Sequence, residues 1–145
     1  MSPSGNVFAI SASALRAQRL RMNVIAANLA NARSTSTPEG GPYRRRDVVL
    51  EAAPVATGFG DLLAGEASGL GVRVERIVAD PRPPRLVFDP GHPDANADGY
   101  VAFPDVNVVT EMVDLMAAAR AYEANVAALN ATKRVLQAAL DIGQV

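Results

Sequence analysis

Residues Val108–Ile142 read VVTEMVDLMAAARAYEANVAALNATKRVLQAALDI, the longest run of the 145-residue chain without proline or glycine. Met112, Leu115, Ala119, Tyr122, Val126 and Leu129 recur at alternating steps of three and four, and after Lys133 the rhythm resumes with Leu136 and Leu140. That spacing gathers them on one stripe of a helix, and its seven-residue period is the mark of a helix built to pair with another. At 1.5 Å per residue the helix would run roughly 50 Å. Asn107 is placed to cap its start, Glu111 and Asp114 fall in the first two turns, and Gly143 follows as a stop.

The opposite face carries Ala117, Ala124, Ala131 and Ala138 at seven-residue intervals, with Ala121, Ala127 and Ala128 beside them. A solvated pair of helices normally shows Lys and Glu there. Two readings stand: alanine serving as a good helix former, or a small-residue face that lets further helices approach.

A matching stripe lies at the other end of the chain. Phe8, Leu15, Met22 and Leu29 repeat every seven residues, with Ile25 adjoining. They predict a helix from about Asn6 to Ala32, thinner in its seam because Ser11 and Gln18 stand where leucine would be stronger. Alone such a helix is marginal; it needs a partner. Residues 1–38 contain Arg16, Arg19, Arg21 and Arg33 and no acidic residue. That composition fits a basic amphipathic helix or a transit peptide, and the heptad argues against a disposable segment.

One proline is Pro3; the other nine of the ten lie between Pro38 and Pro104. A proline costs about 3 kcal/mol inside a helix, so two helical arms flank a non-helical middle. The expected units are an N-terminal helical arm (1–37), a β-rich, Pro/Gly-rich middle (38–105) and a C-terminal helical arm (106–145). Alternation and turn residues predict strands over Tyr43–Glu51, Gly71–Ala79, Arg85–Phe88 and Gly99–Phe103. Gly58–Gly71 reads as a loop with an apolar foothold at Phe59, Leu62 and Leu63. The fold class is α+β: long terminal helices pairing as a coiled coil, with a small sheet leaning on them.

Chemistry is sparse. A net charge of −1 implies no bulk attraction to nucleic acid, and the lack of cysteine removes disulfides, thiolates and cysteine metal sites. No apolar run approaches the roughly 18 residues of a membrane span. His92 lies near Asp89, Asp94 and Asp98, yet one histidine in a proline–glycine turn offers too few ligands for a metal, and aspartates there bond their own backbone. Arg44–Arg46 would be split between the faces of a strand, toward solvent or an acidic neighbour. No phosphate loop, nucleophile elbow or supported carboxylate pair appears, so no catalytic, cofactor or small-molecule site is expected.

Asparagines are concentrated on the arms: Asn23, Asn28 and Asn31 on the first, Asn125 and Asn130 on the second. A polar residue at a helix contact fixes register at some cost in stability, and Asn31 could end its helix. Ala27-Asn28-Leu29-Ala30-Asn31, with Thr37–Arg45 after it, resembles the N-terminal signature of the flagellar axial proteins, and of proximal rod subunits in particular. Asp80–Ala95 is similar to their central proline-rich segment. Val106–Val113 with Ala119–Val126 resembles their C-terminal helix. The match is loosest over Ala56–Gly69 and Arg33–Ser36.

This resemblance implies a structural subunit of the basal-body rod in the periplasm, exported through the flagellar type III apparatus without signal cleavage. Its partners would be copies of itself and other rod proteins, joined through terminal helices to transmit torque. The residues expected to carry assembly are Phe8, Leu15, Met22, Asn28, Leu29 and Asn31 on the first arm. On the second they are Met112, Leu115, Tyr122, Asn125, Val126, Leu129 and Leu136. The competing expectations are a membrane-surface protein using the basic N-terminal helix, and a metal enzyme at His92.

Overall fold

A computed structural model describes residues 3–55 and 69–142. Helix α1 spans Pro3–Ala30, followed by strands β1 (Arg46–Pro54), β2 (Leu70–Ala79), β3 (Arg85–Phe88) and β4 (Tyr100–Phe103), then helix α2 (Val108–Ile142). The long proline-free run is helical over the expected range. The first helix begins earlier than expected, and the Gly58–Gly71 loop with its foothold falls largely outside the described residues. β1 lies a few residues later than its sequence pattern suggested, because Tyr43 and Arg45 are drawn off to bond the helices.

Helix ends follow local chemistry. Asn107 Oδ1 accepts from the backbone N–H groups of Val109 and Thr110 at 3.0 and 3.2 Å, satisfying donors left free at the start of α2. At the end of α1, Asn31 Nδ2 donates back to Ala27 O at 2.9 Å and Ser34 Oγ donates to Asn31 Oδ1 at 3.1 Å. The chain therefore turns away where the sequence places its second motif asparagine.

The strands form two separate antiparallel ribbons, β1–β2 and β3–β4. In the first, Arg46 faces Ala79 and Pro54 faces Leu70, with a bulge between Val49 and Leu50 that leaves Glu75 unmatched. This ribbon lies along α1, and α1 in turn lies along α2. Helix α1 is thus the middle layer. Its buried line is Ser11, Ala17, Val24, Ile25 and Asn28. These residues are mostly small or polar, so neighbouring backbones come close while little apolar area is buried.

The ribbon comes close to α1 at Gly71, which is buried. Ser13 Oγ accepts from Val72 N at 3.0 Å and donates to Ile10 O at 2.6 Å, pinning the strand to the helix. A Cβ on Gly71 would stand 2.6 Å from Ser13 Oγ and also meet Val55. In the second ribbon Val101 is buried, and so is Pro104 just after it. Arg82 ties the two ribbons' exits together, bonding Asp80 at 2.6 Å and Asp105 at 3.0 Å.

Two outcomes follow from this packing. Gly71→Ala should lower stability by about 1–3 kcal/mol through overpacking at the helix–strand contact, measured as a fall in urea midpoint with unchanged slope. Hydrogen bonds from the Arg82 side chain and backbone hold the Asp80 carboxyl at about 2, below its ordinary 3.8. A depressed folded value stabilises above the ordinary value and is lost as pH falls through the depressed one. Asp80→Asn should therefore flatten the loss of stability between about pH 4 and pH 2 relative to the parent chain.

Candidate functional site

The ends of α1 and α2 meet at a buried polar junction. Asn28 is fully buried and Glu111 is 1% exposed, the most enclosed polar side chains among the described residues. Antiparallel pairing brings the last full turn of α1 to the first turn of α2, and the segment before β1 closes over both. Asn28 Nδ2 donates to Arg46 O at 2.8 Å and to Glu111 Oε2 at 2.9 Å. Its Oδ1 accepts from Arg46 N and from the Tyr43 hydroxyl, each at 2.9 Å. All four hydrogen-bonding capacities of one amide are used. Asn28 reads both backbone groups of Arg46, much as a neighbouring strand would.

The other carboxylate oxygen of Glu111 accepts from Arg45 Nε at 2.5 Å, and Arg45 reaches Asp47 at 3.3 Å. Burial works against the Arg45 charge, but Glu111 and then Asp47 outweigh it and raise its pKa above the ordinary value. Burial likewise raises the Tyr43 hydroxyl above its ordinary 10.0, opposed by Arg46 and assisted by Glu111. Tyr43 therefore keeps its proton and donates it to Asn28. Arg46 lies over the Tyr43 ring at 5.9 Å, a cation–π distance. The arginine triplet is split as its strand pattern implied: Arg45 turns inward, while Arg44 and Arg46 stay exposed.

Glu111 also sets the rotation of α2. Holding it inward turns Met112 about 100° away, since one helical residue spans that angle. Met112 is 55% exposed and Leu140 67%, so neither lies in the intramolecular seam expected from hydropathy. At Glu111 and Ala118 the residue one place before the expected one is the more buried. Leu115, Tyr122, Asn125, Val126, Leu129 and Leu136 are half-buried on the inner side, as are Phe8, Leu15, Met22 and Leu29 on α1. Asn125 bonds Ala121 O in its own helix at 2.8 Å, which spares it an unpaired donor. The buried Gln18 Oε1 has no partner among the described residues.

Outside this inner side, α2 presents an apolar surface. Val109 is 71% exposed, Val113 55% and Met116 56%; Ala117, Ala124, Ala131 and Ala138 are exposed as well. In the second ribbon's turn, His92 is engaged locally. Its Nδ1 accepts from Asp94 N at 3.1 Å and its ring meets Phe103 edge-on at 6.0 Å. Among the described residues no group of three potential ligands converges.

Hydropathy could not find the junction, because a glutamate has no place in an apolar seam. Its sequence signal lay elsewhere. Asn28, Tyr43, Arg45 and Glu111 fall in the blocks that carry the axial-protein resemblance, and the structure brings them to one point.

Comparison with known proteins completes the picture. The chain is 48% identical to a protein of Yersinia enterocolitica named flagellar basal-body rod protein FlgC, covering 96% of this chain and 97% of that one. It is 45% identical to the Salmonella typhimurium protein of the same name over the same shares. The chain belongs to the FlgC family of flagellar basal-body rod proteins. A Bacillus subtilis FlgC is similar at 46% identity, covering 93% of this chain and 95% of that one. The family described as flagella basal body rod protein matches residues 8–36, and the FlgEFG rod-protein C-terminal family matches residues 97–142. The two family matches carry Asn28 and Glu111 respectively. As a FlgC-family member the chain is a structural component of the flagellar basal-body rod, and none of these matches supports a membrane-surface reading.

Asn28→Asp tests the junction directly. It replaces two donors with a carboxylate oxygen facing Arg46 O and Glu111, and should cost about 3–5 kcal/mol, as breaking a buried charged network does. Tyr43→Phe, which removes one bond, should cost about 1 kcal/mol. Chemical denaturation of both variants, with equal losses counting against the network, measures the difference.

Proposed function

We propose that this chain polymerises through its two terminal helices, with copies of itself and with other rod proteins, to carry torque from motor to hook. The observation that carries the reading is the outward surface of α2. Val109, Met112, Val113 and Met116 form a run of large apolar side chains that the chain itself leaves more than half exposed. Exposed apolar patches of this kind mark protein contacts. The alanine face beside it permits close helix approach, so several neighbours can pack against one helix.

The three units 1–37, 38–105 and 106–145 divide the work in this reading: two arms assemble, and the middle clamps them. The inner residues Leu115, Tyr122, Asn125, Val126, Leu129 and Leu136 hold α2 against Phe8, Leu15, Met22 and Leu29. Asn28 and Asn31 fix the turn out of α1, and Met112 faces a neighbour. The role is mechanical, without catalysis, cofactor or small-molecule substrate. The chain would reach the periplasm through the flagellar type III apparatus without losing a signal segment.

Val113→Glu separates assembly from folding. The residue is exposed, so thermal stability should change by no more than about 0.5 kcal/mol. Cells relying on the variant should nevertheless fail to swim and lack rods, while the chain is still exported. Leu129→Asp should give the same loss by prising the helix pair apart. Normal motility with Val113→Glu would defeat the reading.

A further inference from the structure

Sulfur is scarce in this chain and unevenly placed. There is no cysteine, and the methionines are Met1, Met22, Met112 and Met116. Met22 is half-buried on the inner side of α1. Met112 and Met116 stand one turn apart on the outward surface of α2, each more than half exposed. Two thioethers therefore lie side by side on the face they share with Val109 and Val113, open to solvent until a neighbour covers them.

Where α2 turns inward it uses leucine, at Leu115, Leu129 and Leu136. Methionine on the outer side meets a different need. Its unbranched, polarisable side chain adapts to neighbours of more than one shape. That adaptability brings a reactive atom with it. A methionine sulfur takes up oxygen from a peroxide, and the sulfoxide formed is polar where the thioether was apolar. Covered by a neighbour, the new oxygen must find a hydrogen-bond donor or remain unpaired at a cost. The side chains beside it, Val109 and Val113, offer no donor.

We propose that Met112 and Met116 form an oxidation-sensitive site that keeps peroxide-damaged subunits out of the rod. In the reaction the O–O bond of hydrogen peroxide breaks and one oxygen bonds to sulfur. The thioether loses two electrons; the peroxide gains them and leaves as water. A free subunit is open to this attack, and a subunit already covered by its neighbours is not. Sulfoxide reductases return the thioether, so the exclusion is reversible. The inference rests on the rod-subunit reading, in which neighbours cover the outward surface of α2, and adds a chemical control over which subunits are accepted.

Hydrogen peroxide is the probe. Free full-length chain and isolated basal bodies are treated with it, and their peptides are compared by mass spectrometry. Met112 and Met116 should oxidise at least about tenfold faster in the free chain than in basal bodies. In a second experiment, cells lacking their own copy make the parent chain together with Met112→Leu/Met116→Leu, with and without a sublethal dose of peroxide. Each chain is scored against its own untreated level in basal bodies. General toxicity and oxidation of Met1 and Met22 fall on both chains and cancel. The parent should drop at least about threefold relative to the double variant, with sulfoxide at both positions in the parent chain left outside basal bodies and not in the chain inside.

Equal falls in the two chains, or sulfoxide as frequent inside basal bodies as outside, would overturn the proposal. If treated basal bodies oxidise as fast as the free chain, no neighbour covers the face, and the reading of α2's outward surface fails together with the proposal. Protection in basal bodies with equal falls in both chains leaves that reading standing and removes this one alone.

Discussion

One side-chain amide holds the molecule's three parts together. Asn28 belongs to α1, bonds both backbone groups of Arg46 where β1 begins, and bonds the carboxylate of Glu111 on α2. A core of this size offers few alternatives: the buried apolar side chains among the described residues are Ala17, Val24, Ile25, Val101, Pro104 and Ala118. Apolar contacts have no direction, whereas four hydrogen bonds from one amide fix distance, angle and register together. The junction thus does what a larger apolar core does elsewhere. It also explains how the buried Glu111 carboxylate is tolerated: each of its oxygens has a partner, Asn28 for one and Arg45 for the other, without which burial would be destabilising.

Much of the architecture could be read from the chain before its structure. Proline placement separates arms from middle because backbone geometry alone forbids proline inside a helix. The bounds of α2, its Asn107 cap and the turn at Asn31 follow from equally local chemistry. What hydropathy missed was the rotation of α2. It assigned Met112 inward because methionine is apolar, while the fold places Glu111 there, held by partners at positions 28 and 45. A long-range polar contact leaves no periodic trace, and so the inner line was displaced by one residue at Met112 and Ala119.

The same displacement decides which residues face outward. Turning Glu111 in turns Met112 out, beside Val109, Val113 and Met116. One buried carboxylate therefore shapes two surfaces, the junction it completes and the apolar face it exposes. The family matches fall on the two helices, at 8–36 and 97–142, the elements whose relative rotation this junction sets.

The uncovered apolar face of α2 ties the molecule's stability to its own concentration. A neighbour that covers Val109, Val113 and Met116 binds only the ordered helix, so mass action draws the chain toward order as subunits accumulate. Melting temperature then depends on the local concentration of subunits and not on the sequence alone. A dilute chain has only its own contacts to hold it. The same chain at the growing end of a polymer is held by every neighbour it gains.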